Sequence, residues 1–374
     1  MQGVLYLNHA ATSPLHLKVV EAITRHLEDR SRGKLETWFD DLPMLRETRQ
    51  MIAQLINAES EERIALTANT SDAINIITSG LSWKAGDHIL LNEMEFPANV
   101  WPYMALKRHG VSLEFLQCPE GRITPEAIHR ALRPTTRVVA LSAVQFLSGY
   151  RADLESIGAL CRSRNILFIV DGIQAVGAMP IDVQRMKIDA LAAGAQKWQM
   201  APHGTGFLYL TEELQHRIQQ AFVGWLSVEA PWNFFDYDQP LARTARRYEG
   251  GTLNIAGLWG YHAALQLLLE IGIPAITDHI LSLTEDLSIR LSQLPEVQLL
   301  SPSLREERAG IVTILPPTSV SADAVFRLLT ERRVRISLRE GTLRYSPHFY
   351  NSLTDMELVA ELTREAIHSA SQQQ

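Results

Sequence analysis

Five apolar residues in a row, Ile166 to Val170, stop abruptly at Asp171. A run with neither helical nor alternating spacing suits a strand covered on both faces, as in a parallel sheet. The pattern returns at once. Ile188 to Ala193 is a second apolar run leading into Gly194-Ala195-Gln196-Lys197-Trp198, and Phe207 to Leu210 follows a turn through Pro202 and Gly204-Thr205-Gly206. Ligands of open parallel sheets bind beyond the carboxyl ends of the strands. A strand-end carboxylate and a lysine flanked by small residues suit a pyridoxal 5′-phosphate (PLP) site, the amine forming a Schiff base and the carboxylate keeping the ring nitrogen protonated. They equally suit an ordinary core with a solvated lysine. Alone, these residues do not separate the two readings.

The upstream chain extends the alternation. Strands are expected at 63–67, 88–91, 111–116 and 137–144, with helices at 15–27, 73–81 and 153–162 between or before them. This order predicts an α/β fold with a mostly parallel sheet sandwiched by helices. Thr70, Phe96, Gln145, Asp171 and Lys197 all fall at or just beyond strand ends, a convergence that favours a real site. Asn69-Thr70-Ser71 reads first as a helix cap and second as a phosphate cradle. Phe96 reads first as core packing and second as a ring-stacking residue. A lone His9 after the short strand 4–7 reads as a loop residue.

Beyond Leu210, the aperiodic aromatic stretch Gly224 to Tyr237 reads as a functional or interface loop. Arg246 to Asn254 reads as a glycine hinge, and Ile255 to Ile271 as a long helix crossing to a smaller α+β part. That part holds helices at 278–294, 322–332 and 355–369 and strands at 309–315, 334–338 and 343–346, with Gln372 to Gln374 a frayed tail. The expected division is a large PLP-binding domain over 15–255 and a small domain made of 1–14 and 256–374.

Composition narrows the function. A formal charge of −7 without a basic block argues against a nucleic-acid surface. Cys118 and Cys161 make neither a disulfide framework nor a metal cluster, so no metal is expected and a reduced, cytoplasmic setting fits. No signal peptide and no apolar span of roughly 18 residues is present, so no membrane association is expected. Neither dinucleotide nor P-loop glycine motif appears, which leaves a nucleotide enzyme unsupported.

Four motifs in order, Asp171-Gly172-Ile173-Gln174, Gln196-Lys197, Gly250-Gly251-Thr252 and Leu343-Arg344-Tyr345-Ser346-Pro347-His348-Phe349-Tyr350-Asn351, carry a specific likeness. Over nearly its full length the chain resembles the class V aminotransferase family of fold type I PLP enzymes, which includes cysteine desulfurases, selenocysteine lyases and kynureninase-like proteins. The resemblance implies a homodimer with composite sites acting on a small amino acid. It implies that Lys197 holds PLP, Asp171 pairs with the pyridine nitrogen, Gln174 bonds the phenolic oxygen and Phe96 stacks on the ring. Asn69, Thr70 and Ser71 would cradle the phosphate, Gln196 would border the cofactor, and Thr252 would reach the neighbouring subunit's phosphate. Arg344 would clamp the substrate carboxylate, with Gln145, His9 and Trp225 around the substrate.

Departures bear on the subfamily. The segment Arg335 to Leu343 is short and lacks the desulfurase cysteine, and Phe96 and Gln196 stand where desulfurases tend to carry histidines. Desulfurase activity is therefore rejected. Transamination is favoured over the alternatives, a C–S β-lyase or kynureninase-like cleavage. A non-catalytic sensor built on the fold is disfavoured because Lys197 is kept. Arg339 reads as half of a loop salt bridge with Glu340 or another acid, or else as the site for a second substrate carboxylate.

Overall fold

The computed structural model describes residues 3–34, 38–118 and 121–372. The glutamines at 373 and 374, expected to fray, lie outside them. Seven strands form the large sheet: β2 (Ile64–Thr67), β3 (His88–Asn92), β4 (Ser112–Leu116), β5 (Thr136–Ser142), β6 (Leu167–Asp171), β7 (Ala190–Gly194) and β8 (Gly206–Leu210). Their order is β2-β8-β7-β6-β5-β3-β4, and β8 alone runs against the others. Every residue of β6, β7 and β8 is buried, which is why those runs carry no alternation.

Helices cover both faces. They are α1 (Leu17–Ser31), α2 (Trp38–Ile56), α3 (Thr70–Gly80), α4 (Trp101–Met104), α5 (Pro125–Ala131), α6 (Leu154–Ser163) and α7 (Glu212–Arg217), followed by α8 (Ile255–Ile271) and α9 (Ile273–Ser292). The reading of 15–27 as helix overlaps α1, which starts two residues later and runs four further, whereas α2 has no counterpart in the sequence reading. Pro43 lies inside α2 and reads as a breaker, yet Leu45, Thr48, Ile52, Leu55 and Ile56 bury one face at helical spacing.

A four-stranded antiparallel sheet, β12-β13-β10-β9, makes the second core. Its strands are β9 (Gln298–Leu299), β10 (Val312–Leu315), β12 (Ser337–Arg339) and β13 (Thr342–Tyr345), backed by α10 (Ala322–Glu331) and α11 (Leu353–Ser371). The first strand, β1 (Leu5–Tyr6), pairs in parallel with β11 (Val334–Arg335), so the start of the chain is bound to its last fifth. Helix α8 packs on α1 and α2 through Leu258, Tyr261, Leu265 and Leu268. Helix α9 begins five residues before the expected 278, after Gly272 at φ +88°. Its Ile273, Ile276 and Ile280 belong to the large core, while Leu283, Leu287 and Leu291 belong to the small one, so α9 joins the two. Among the described residues no single helix is long and apolar enough to cross a membrane.

The expected hinge at 246–254 is instead a pinned segment. The buried Glu249 carboxylate accepts from Arg49 Nε (2.9 Å), Arg49 Nη2 (2.5 Å) and Leu66 N–H (2.8 Å), tying α2 and β2 to it. Gly224 sits against Gly250, where an added Cβ would come 1.9 Å from the Gly250 carbonyl oxygen. Asn254 then caps α8, its Oδ1 accepting from Gly257 N–H.

Candidate active site

Sheet register sets the site. Ser142 on β5, Asp171 on β6 and Ala192 on β7 are lateral neighbours, the first two being the last residues of their strands. Asp171 is buried, and its Oδ1 accepts from the Ile173 N–H at 2.9 Å. Burial pushes its carboxyl up; the Glu95 charge adds to that push, while the Ile173 bond and Lys197 oppose it. Lys197 follows β7 by three residues. Burial pulls its ammonium below the ordinary lysine range, Arg344 and Arg339 deepen the shift, and Asp171 works against it.

The lysine is held from behind by Trp198. That side chain is fully buried, its indole N–H donates to Gln174 Oε1 (2.8 Å), and its carbonyl accepts from His348 Nε2 (3.0 Å). His348 Nδ1 accepts from Phe349 N–H, which fixes the neutral tautomer, and burial holds its pKa down to about 4. Two glycines make room for the tryptophan. A Cβ on Gly177, at φ +97°, would lie 2.6 Å from the Trp198 carbonyl oxygen, and one on Gly310 would lie 2.2 Å from its ring.

Lys197 opens into a cavity of about 320 Å³ lined by Ala10, Ala11, Asn69, Thr70, Ser71, Phe96, Ala98, Phe146, Ile173, Gln174, Gln196, Arg339 and Arg344. Phe96 forms a wall, with Lys197 Nζ 5.5 Å from its ring centroid and Phe146 edge-on at 5.2 Å. Asn69 caps α3, its Oδ1 accepting from Asp72 N–H at 2.9 Å, so capping and lining are done by one residue. Thr70 Oγ1 accepts from Gly194 N–H, locking the helix start to the end of β7. Arg344 on β13 donates from Nη1 to the Phe146 carbonyl (2.6 Å) and from Nη2 to Ser337 Oγ (3.3 Å), and its buried Nε has no hydrogen-bond partner among the described residues. Burial, then the charge of Arg339, lowers its pKa to about 10. A larger surface cleft, about 590 Å³, lies elsewhere and contains mutually paired charges such as Arg122–Glu307 and Arg185–Glu155.

Several expected residues lie outside this cavity. Gln145 is buried just behind the wall, its amide donating to Glu95 Oε1 at 3.0 Å. His9 is fully buried among the rings of Tyr6, Trp198, His348 and Tyr350, and shares a 2.6 Å hydrogen bond with the Tyr350 hydroxyl. Burial and then His348 hold its pKa well below the usual range. The alanines after it line the cavity instead. Trp225 packs on Trp232 and Phe234, and Thr252 is exposed; neither is among the described residues that line the Lys197 cavity. Arg339 lines the cavity, and among the described residues no carboxylate lies within salt-bridge distance of it, so the loop ion pair with Glu340 is not formed. Cys118 and Cys161 are buried away from the cavity, and burial pushes their thiols up to about 11 and about 12.

The comparisons with known proteins agree in one respect. The class V aminotransferase model matches residues 5–358. The chain belongs to that family. A probable cysteine desulfurase of Methanothermobacter thermautotrophicus is 29% identical over 380 residues, covering 96% of this chain and 94% of the relative. Isopenicillin N epimerase of Streptomyces clavuligerus is 28% identical, with 96% and 94% covered. Among solved structures, the cystine C–S lyase C-DES with its product cysteine persulfide superposes with a TM-score of 0.88, 26% identity, and 97% and 98% of the two chains covered. An apo cysteine desulfurase from Thermococcus onnurineus gives a TM-score of 0.89 at 26% identity, with 98% and 95% covered. A variant of the C–S lyase holds glycine covalently linked to its PLP cofactor.

The class V chain is thus a fold type I, PLP-dependent enzyme. Its own residues fit that cofactor. A buried carboxylate with raised pKa suits a pyridinium nitrogen, a lysine of lowered pKa suits covalent attachment, and the start of α3 suits a phosphate.

Proposed function

We propose that this chain is an aminotransferase for an α-amino acid, working as a cytoplasmic homodimer. The observation that carries the reading is the make-up of the cavity. Among the described residues lining it, Lys197 is the one group able to take up and return a proton near neutral pH. Transamination needs one such group, whereas expulsion of a side-chain group gains from a second acid. A desulfurase would need a mobile thiolate, and both thiols are buried elsewhere.

PLP, when bound, supplies the electron sink for the pair released at the substrate Cα. Lys197 Nζ holds the cofactor between turnovers and carries the Cα proton. Asp171 keeps the ring nitrogen protonated, and the raised pKa of its carboxyl matches sharing a proton there. Phe96 stacks on one ring face. Gln174 has one amide N–H committed to the Ala10 carbonyl and the other for the ring oxygen. Thr70, Ser71 and the first-turn amides of α3 take the phosphate. Arg344 fixes the substrate carboxylate, its unpartnered Nε completing a bidentate face. Thr252 and Trp225 serve the partner's site.

A lyase remains the second reading, favoured by the likeness to the C–S lyase. Single-turnover absorbance with an amino-acid panel decides. Transamination consumes the lysine-linked absorbance stoichiometrically, releases a 2-oxo acid, and restores the band when a 2-oxo acid is added. Spontaneous recovery with accumulating ammonia, alanine or thiol means a lyase. Lys197→Ala should lose turnover by about a thousandfold or more and lose the lysine-linked band.

A further inference from the structure

Several arginines of this protein pair with carboxylates, among them Arg133, Arg162, Arg290, Arg305 and Arg364. Arg339 has none among the described residues, although Glu340 is adjacent in sequence and also exposed. Glu340 takes φ +46° and Gly341 φ +72° in the tight turn between β12 and β13. Thr342 Oγ1 donates to the Arg339 carbonyl at 2.7 Å, which fixes the end of β12. The turn thereby presents Arg339 at the cavity wall that already carries Arg344.

The cavity's charge is one-sided. Lys197, Arg339 and Arg344 line it, and no aspartate or glutamate does so among the described residues. Arg339 raises the cost of that arrangement, since its charge depresses both Lys197 and Arg344. The proposed phosphate site at α3 and carboxylate site at Arg344 do not use Arg339, whose guanidinium also lines the cavity. We propose that Arg339 is a specificity residue that binds a second anionic group, so that the enzyme prefers amino acids with an acidic side chain. This rests on the proposed reaction site but not on transamination itself. The exposed side chain of Arg339 tolerates one or two methylenes of difference in substrate side-chain length, so the class is acidic amino acids and not a single one.

The test uses the PLP-loaded enzyme. Rates with aspartate against asparagine, and glutamate against glutamine, are compared with calorimetric binding of maleate, a dicarboxylate without an amino group. Acidic substrates should be preferred by about ten- to a hundredfold in kcat/KM, the size of a charge-assisted hydrogen bond. Arg339→Gln should bring the acid-to-amide ratio close to one and weaken maleate by a similar factor, and Arg339→Lys should restore part of both. An acid-to-amide ratio near one in the parent enzyme, or a ratio that survives Arg339→Gln, overturns the assignment even if transamination is found. If maleate binds in an Arg339-dependent manner while no amino group is transferred, the aminotransferase reading fails and this one stands.

Discussion

Lys197 and Asp171 are neighbours whose charges help each other while burial works against both. The lysine shift has a measurable sign. Covalent capture of PLP requires the neutral amine, and a lowered pKa makes that form available at lower pH. The rate of reconstitution from the cofactor-free protein should therefore rise with pH and level off below the ordinary lysine value of 10.5. Asp171→Asn removes the charge that favours the ammonium, so its plateau should begin at still lower pH, with weaker retention of the cofactor. Stopped-flow absorbance at several pH values reads both effects, and a rate still climbing at pH 10 would remove the argument. At this scale the sequence was legible where strand ends converge, at Thr70, Phe96, Asp171 and Lys197. It was not legible for Trp198, which needs the space left by Gly177 and Gly310, or for His348, whose role depends on reaching the Trp198 carbonyl. His9 misled for a related reason: polar type says nothing about whether a side chain faces the cavity or the aromatic cluster beside it.

Between β3 and α4, the short segment 93–100 works as a strap across the sheet edge. Its fastening is Glu95, whose buried carboxylate accepts from Asn92 Nδ2, Asn99 Nδ2 (3.0 Å), Ser142 N–H (2.7 Å), Ser142 Oγ (2.6 Å) and Gln145 Nε2 (3.0 Å). The next residue is Phe96, so the same knot that joins the strap to β5 sets the cavity wall. Glu95→Leu strands these donors in the interior and should cost about 3 kcal/mol or more. Urea unfolding of the cofactor-free protein measures the loss, and a midpoint within error of the parent would mean that water or relaxation satisfies them. The apolar runs of β6, β7 and β8 were readable because both faces are covered. Helix α2 was not, since Pro43 sits in its early turns where local chemistry argues against a helix and tertiary burial prevails. The supposed hinge at 246–254 failed in the opposite direction. Its glycines serve close backbone packing and its Glu249 is locked, neither of which glycine content alone can distinguish from flexibility.

Across the whole molecule, the aromatic loop stands out from the surface. Phe222, Phe234, Phe235 and Tyr237 are exposed, Phe235 at 89%, and so is Thr252. Such a patch suits burial against a second copy, the arrangement inferred for the dimer. Phe235→Asp should shift the sedimentation coefficient toward that of a monomer, and turnover should fall with it if the site is shared. A variant that sediments as a monomer while keeping full activity would show that each chain is complete alone. The sequence reading divides the chain at 255/256, whereas α8 packs Leu258, Tyr261, Leu265 and Leu268 into the large core, and the bridge through α9 and the return of β1 to β11 are long-range pairings that periodicity does not encode. That return carries a consequence for biosynthesis. Ala10 and Ala11 form one wall of the cavity, yet the strand leading to them is held by residues 334–335, and a bridge joins Asn8 to Ser346. During translation β1 stays without its partner strand until β11 has been made and can return to it. The cavity wall is completed only by that pairing, so stable capture of the cofactor depends on a contact between segments far apart in sequence.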